Sequence, residues 1–435
     1  MVRLLVVLLA SGLVSPAVWS QSFVETDHRD LAELHAGPNN AAFGDQVALV
    51  DGGRTLIASA PFRTDPTDSG SQDGNVYSFP VSAAGLLGSP QILGPANRYR
   101  FGLNIAASDQ WLAVAESGDK VHLFDRSGST WQSNGQVLRI DSDVPPVAGI
   151  TVRGLDASTA LDGDRLVIGD TSANVVSGGE TINNAGAVIV FRRNGSNWIH
   201  EATLISPQPS SSSAFGEVVA LSGSTLLVGA PDDNPPGGGQ GAAYLFQLQG
   251  GQWQHARTLV NPDTGQQSEY AWSVALDGDI AVVGCATCFT QAVGPTNTGS
   301  FFSYERHLGG SGNWGLRGEF VSNQPEFIDQ FSFSLALSGT VLFVGAPGTN
   351  RSTFFLRNAA GGWTELQSLI AADPNNTSFG ASAAFSGGYA ALGAPRWPNT
   401  STSERWGAVS MWYSEPVERC GGNLDGIFCD RFENE

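Results

Sequence analysis

Lysine is almost missing from this chain, Lys120 being the only one. Lysine and arginine together number 22 against 41 aspartates and glutamates, which leaves a net charge of −19. No basic stripe can be assembled from such a set. That excludes nucleic-acid binding through the phosphate backbone and docking on anionic lipid through a polybasic patch. Long apolar runs are missing beyond the N-terminus, since every later apolar stretch alternates or stops short of the ~20 residues a membrane span needs. Catalytic signatures are missing as well. There is no Gly-x-Ser-x-Gly elbow. The six histidines, at 28, 35, 122, 200, 255 and 307, contain no His-x-x-x-His pair. Gly237-Gly238-Gly239-Gln240-Gly241 leads into a strand pattern and not into a helix N-terminus that could hold phosphate.

Cysteine is scarce, with four residues in two local pairs, Cys285/Cys288 and Cys420/Cys429. Cys285-Ala-Thr-Cys288 has the spacing of a redox or metal motif. However, no helix pattern follows it to lower a thiolate pKa, and a zinc site would need two further ligands nearby. Both pairs are expected to be disulfides of an exported chain. The N-terminus agrees with export. Met1-Val2-Arg3 is followed by an apolar run of 11 residues, Leu4 to Val14, and by the small residues Val18 and Ser20. Residues 1–20 are therefore expected to be a signal peptide, with no transmembrane segment left after its cleavage.

What the chain has in abundance is repetition. The clearest copy starts at Phe215-Gly216, and the same order of features recurs from Phe43, Phe101, Leu155, Tyr270, Phe331 and Phe379, at intervals of 48 to 61 residues. Each copy reads as four short strands. In the copy from Phe215 these are Val218 to Leu221, Thr225 to Gly229, Ala243 to Phe246 and Trp253 to Leu259. Ser222-Gly223 makes the first turn, of the kind two-residue hairpins require, and Pro231 stops the second strand because it brings no ladder donor. Four antiparallel strands per repeat describe a propeller blade, and seven copies describe a seven-bladed β-propeller over residues 21–415. Phe215 is expected to wedge between blades. Trp131, Trp198, Trp253, Trp314 and Trp363 are expected to fill the outer gaps. The seventh copy lacks a fourth strand, while the segment from Phe23 to Leu34 is surplus. That N-terminal strand is expected to complete the last blade and close the ring.

These residues resemble the FG-GAP repeat family, whose units build the integrin α-subunit β-propeller, and most closely the bacterial secreted proteins made of such repeats. Phe43-Gly44, Phe101-Gly102, Phe215-Gly216 and Phe379-Gly380 carry the first half of the motif. Gly229-Ala230-Pro231, Gly345-Ala346-Pro347 and Gly393-Ala394-Pro395 carry the second, with Ala60-Pro61 a near match. The resemblance implies a secreted or cell-surface adhesion protein that binds a protein or glycan ligand and catalyses nothing. A propeller hydrolase or lyase with a loop-borne site, and a purely structural surface component, are the alternatives. Integrin-type calcium loops are absent, because Asp162-Gly163-Asp164 and Asp277-Gly278-Asp279 offer too few oxygens for the six to eight ligands calcium takes. Asp65, Asp68 and Asp73 near Asn75, and Asp232 with Asp233, are the remaining candidate calcium ligands.

Long variable loops follow the second strands, from Phe62, Thr171, Asp232, Thr287 and Arg396, and all fall at one end of the blades. Binding residues concentrate on such loops. Arg396, Trp397, Arg405 and Trp406 are the candidate ligand anchors, since Arg and Trp are common at interface centres. The tail, residues 416–435, is acidic and bracketed by Cys420 and Cys429. Its end resembles the Ile-Phe-x-Asp-Gly-Phe-Glu ending of exported gammaproteobacterial proteins, with Arg431 in place of a Gly, which implies a sorting or surface-retention role; a stapled flexible tail is the alternative.

Overall fold

A computed structural model describes residues 23–30, 41–62, 64–65, 68–94, 99–155, 158–262, 268–288, 298–326, 328–370, 378–396 and 407–414. The expected signal peptide and the tail with Cys420 and Cys429 lie outside the described residues. The architecture is all-β. Seven four-stranded antiparallel sheets are present, with a small three-stranded sheet and a two-stranded hairpin beside them. The sheet from Phe215 contains strands Val218–Ser222, Thr225–Ala230, Ala242–Gln249 and Gln252–Val260 in that order. The innermost strands of the seven sheets neighbour one another in a closed circuit. This is a β-propeller, and its sheets are called blades one to seven here in the order of their first strands.

The core is a ring and not a single centre. Seven buried apolar clusters are present, each shared by two adjacent blades. Phe215 is fully buried between blades three and four, as its motif position requires. Trp131, Trp198 and Trp314 are among the largest fully buried side chains. Trp131 donates its indole N–H to Ser78 Oγ of the preceding blade at 3.1 Å, and Trp363 does the same to Ser303 Oγ at 3.0 Å. Their fixed place in the repeat is therefore explained by packing plus a partner for the one polar atom of the ring.

Both glycines of the motif answer to one contact. A Cβ on Gly393, in the second strand of blade seven, would lie 2.1 Å from the Gly44 carbonyl oxygen of blade one. On Gly345 it would lie 1.9 Å from the Gly380 oxygen of the next blade. Gly44 itself has φ +83°, a region where only glycine is unstrained. The carbonyl so approached accepts a hydroxyl hydrogen bond from the preceding blade: Ser382 Oγ to Gly44 at 2.8 Å, Ser334 Oγ to Gly380 at 2.8 Å and Ser158 Oγ to Gly216 at 2.9 Å. At the opposite end the tight turns are also tied together. Asp162 accepts the Gly223 N–H of the next blade at 2.6 Å, and Asp277 accepts that of Gly339 at 2.6 Å. These aspartates are inter-blade clasps.

The N-terminal strand Phe23–Asp30 pairs antiparallel with Ala408–Ser414 and is the outermost strand of blade seven, as the strand count anticipated. Phe23 occupies the slot that tryptophan fills elsewhere. Gln91 clasps the backbone of Trp131 with both amide atoms, and Gln136 clasps Trp198 in the same way. Gln367 clasps Phe23, accepting its N–H at 2.7 Å and donating to its carbonyl at 3.0 Å. The Phe23 ring packs edge-on against Phe343 and Phe354 at 5.0 and 4.7 Å. Cys285 and Cys288 form a disulfide at the end of the second strand of blade five. Two expected loops are partly ordered into strands instead. Thr64–Asp65 pairs with Asp68–Gln72 in blade one. In blade three, Asn174–Ser177 pairs with Glu180–Ile182.

Truncating Phe23 leaves a cavity in the last inter-blade core, and Phe→Ala in a core costs about 3–5 kcal/mol. Phe23→Ala is expected to destabilise the protein on that scale, and Gln367→Ala by roughly 1–3 kcal/mol through the two lost hydrogen bonds. Urea unfolding of both variants measures this; a wild-type midpoint for Phe23→Ala would show that the ring does not depend on its closing strand.

Candidate functional site

Among the described residues, six blades enter their innermost strand through the same tight turn. The N–H of the residue after the aromatic-glycine pair donates to the carbonyl three residues back: Asp45 to Ala42 at 3.0 Å, Leu103 to Arg100 at 3.2 Å and Glu217 to Ala214 at 3.0 Å. Trp272 bonds Glu269 in this way at 3.1 Å, Phe333 bonds Gln330 at 3.0 Å and Ala381 bonds Ser378 at 3.1 Å. The scaffold residues of the repeat stay nearly constant, yet the residue closing this turn is different in all six blades. Repeated turns on a closed ring surround the propeller axis, so this varied set rims its mouth.

A cavity of about 730 Å³ opens there, between blades six, seven and one. Turn residues Ala42, Asp45, Gln330, Phe333, Ser378 and Ala381 line it, with Gln46. The wall is completed by residues that end the second strands: Phe62, Pro347, Pro395 and Arg396. A volume of this size suits a small-molecule site. The cavity lies at the end of the blades that carries the long loops.

Asp45 is the chemically distinctive group in it. Burial pushes its carboxyl from the ordinary value of 3.8 up to about 6, because the charged form loses its water. A carboxyl with that proton affinity exchanges protons with water or substrate near neutral pH. Arg396, exposed at the rim, brings a positive charge to the same cavity. Of the four anchors expected from the sequence, Arg396 thus lines the cavity, while Trp397, Arg405 and Trp406 lie outside the described residues. Sequence reasoning missed Asp45, Gln330 and Phe333. The signal was present, in that the position after the aromatic-glycine pair changes chemistry from copy to copy while its neighbours do not.

Of the calcium candidates, Asp232 and Asp233 have protein partners. Asp233 is buried and its carboxylate accepts hydrogen bonds from Ser210 Oγ at 2.6 Å, from the Asn234 N–H at 2.9 Å and from the Tyr244 hydroxyl. It anchors a tyrosine, while the Asp232 carboxylate accepts from the Gln240 amide at 3.4 Å. Asp73 is buried. Asp65 and Asp68 fall in the two short strands of the blade-one hairpin, and their side chains lie outside the described set. No group of three or more potential metal ligands comes together among the described residues. The histidines at equivalent outer-strand positions, His200 and His255, each pair with a threonine three residues on, at 2.9 and 3.0 Å. They are a repeat feature.

Residues 198–246 match the family model described as FG-GAP repeat. The matched span runs from the Trp of blade three to the third strand of blade four, and bears out the resemblance of the motif residues there. No curated protein matches the chain in sequence. Among solved structures, the periplasmic gluconolactonase of Pseudomonas aeruginosa is similar at 15% identity, with 75% of this chain and 85% of that chain covered and a TM-score of 0.47. The expectation of a non-catalytic adhesion protein is corrected here. The axial cavity holds a buried carboxyl of raised proton affinity, which a purely adhesive face does not call for. No helix among the described residues is long and apolar enough to cross a membrane.

The raised Asp45 carboxyl also has a consequence for stability. A carboxyl whose folded pKa lies above its unfolded value supports the fold below about pH 4 and loses that contribution as pH rises through about 6. Asp45→Asn is therefore expected to match the wild type in stability at pH 4. At pH 7.5 it should exceed the wild type by roughly 1–2 kcal/mol, the shift discounted for partial exposure. Thermal melts at the two pH values measure it, and a variant less stable at pH 7.5 than at pH 4 relative to wild type would remove the buried-carboxyl account.

Proposed function

We propose that the protein is an exported propeller hydrolase whose reaction takes place in the axial mouth, with Asp45 as its general base and acid. The observation that carries this reading is the Asp45 carboxyl, pushed up to about 6 by burial in a small-molecule-sized cavity. Ionised Asp45 takes a proton from a water molecule, and that water attacks the electrophilic carbon of a bound substrate. The Arg396 guanidinium at the rim steadies the negative charge that develops on the substrate oxygen. Asp45 then returns the proton to the leaving oxygen, so that one water is consumed and the acid–base group is regenerated. Phe62, Phe333, Pro347 and Pro395 keep the wall apolar. The same wall raises the proton affinity of Asp45 and strengthens electrostatic contacts within the cavity. Export is supported by the character of residues 1–20 and by the Cys285–Cys288 disulfide, which persists in oxidising compartments.

Wild type and Asp45→Asn are to be assayed against chromogenic esters, lactones and glycosides across pH 4–8. Turnover by the wild type is expected to fall on the acid side of about pH 6, where Asp45 is protonated. Asp45→Asn should lose about 10²–10⁴ in kcat. Equal turnover by the two proteins, or none by the wild type across all three substrate classes, would overturn the assignment.

A further inference from the structure

The mouth does not end at the cavity. Blades four and five contribute Glu217 and Trp272 from the same turn that supplies Asp45 and Phe333 elsewhere. The Trp272 and Phe333 rings lie 5.6 Å apart, and both are half-buried. Trp272 thus stands apart from the packing tryptophans such as Trp131 and Trp363, which are buried in the outer gaps and give their indole N–H groups to serines of the preceding blade. Trp272 sits instead on the inner rim, against a residue that lines the cavity wall. Around it the polar groups are mostly acceptors. Glu217, Asp232 and Glu269 fill this sector, and Gln330 lines the adjoining wall.

Resting on the reading of the mouth as the substrate site, we propose that it takes a saccharide. One pyranose face stacks on the Trp272–Phe333 pair, and its hydroxyls bond to Glu217 and Gln330. A polyol ring is the ligand class that offers both things this surface asks for. Its axial C–H face suits an aromatic pair, and its hydroxyls are donors for carboxyl and amide oxygens. An anionic ligand would face three carboxyl groups in this sector. Burial and the nearby Asp232 charge both push the Glu217 and Glu269 carboxyls up, which weakens their hold on a cation relative to ordinary surface carboxylates.

The test is binding of neutral cello-, xylo- and mannohexaose to the whole protein, by calorimetry and saturation-transfer NMR, with choline as a cationic probe. At least one hexasaccharide is expected to bind the wild type. Trp272→Ala should weaken that binding about tenfold or more, equivalent to roughly 1.4 kcal/mol, and Phe333→Leu should weaken it less. Far-ultraviolet circular dichroism and melting temperature check that both variants fold. Absence of binding by every hexasaccharide, unchanged affinity in folded Trp272→Ala, or Trp272-dependent binding of choline instead would overturn the assignment. Saccharide binding through Trp272 without Asp45-dependent hydrolysis would sink the hydrolase reading and leave the ligand class standing. Asp45-dependent hydrolysis of simple esters with no saccharide bound would do the reverse.

Discussion

The close approach of one blade's glycine to the next blade's carbonyl sets the geometry from which everything else follows. The Gly393 position leaves no room for a side-chain carbon against the Gly44 oxygen, and Gly345 leaves none against Gly380. With the backbones that near, a serine hydroxyl from the same blade reaches the same carbonyl, and the aromatic of the motif drops into the inter-blade core. The contact is a steric demand, satisfied only by residues without a Cβ, or by a shift of the chain that the whole ring would have to share. Blades five and six keep the contact, Gly229 against the Ala271 oxygen and Gly284 against that of Ser332, but lack the first glycine. Ala271 and Ser332 stand where other copies have the first glycine, and both are held at positive φ, 68° and 72°. Non-glycine residues in that region are strained by about 1–3 kcal/mol, which the surrounding packing has to offset.

This rigidity is what makes a site at the axis workable. Because these turns are fixed by a positive φ, a backbone hydrogen bond and the neighbouring blade, the residue that closes the turn is free to vary without altering the scaffold. Two blades use the position for an acid, and others for an indole, a phenyl ring or a methyl group. Side chains from blades distant in sequence are thereby brought to one mouth. Groups held on a fixed frame need little reorganisation when a ligand arrives.

The fold was legible in the sequence because the demands just described leave repeated marks. Phe-Gly, Gly-Ala-Pro and Ser-Gly recur in register, and the surplus strand at Phe23 has its counterpart in the strand missing after Tyr413. The site was not legible in the same way, for a physical reason. Repetition identifies what every blade must share, whereas Asp45 matters because it differs from Leu103, Trp272 and Ala381 at the same turn. Its raised proton affinity comes from neighbours far apart along the chain, such as Phe333 and Pro395, and no local motif records them. Arg396 stood out by its place on a long loop, and it lines the cavity. Asp232 and Asp233 look alike in sequence, and only the fold shows that one of them is the partner of a buried tyrosine.

The pairing of Phe23–Asp30 with Ala408–Ser414 joins the two ends of the described chain. In time as well as in space, the first strand to be synthesised is among the last to find its partner. At translation rates of about 5–20 residues per second, roughly 20–80 seconds separate the two strands. During that interval the Phe23 ring and one backbone edge have no native neighbour, and blades that already possess their four strands can assemble around the gap. An acidic, lysine-poor chain repels copies of itself throughout that wait. The same acidity therefore also protects an unfinished ring from pairing with another unfinished ring.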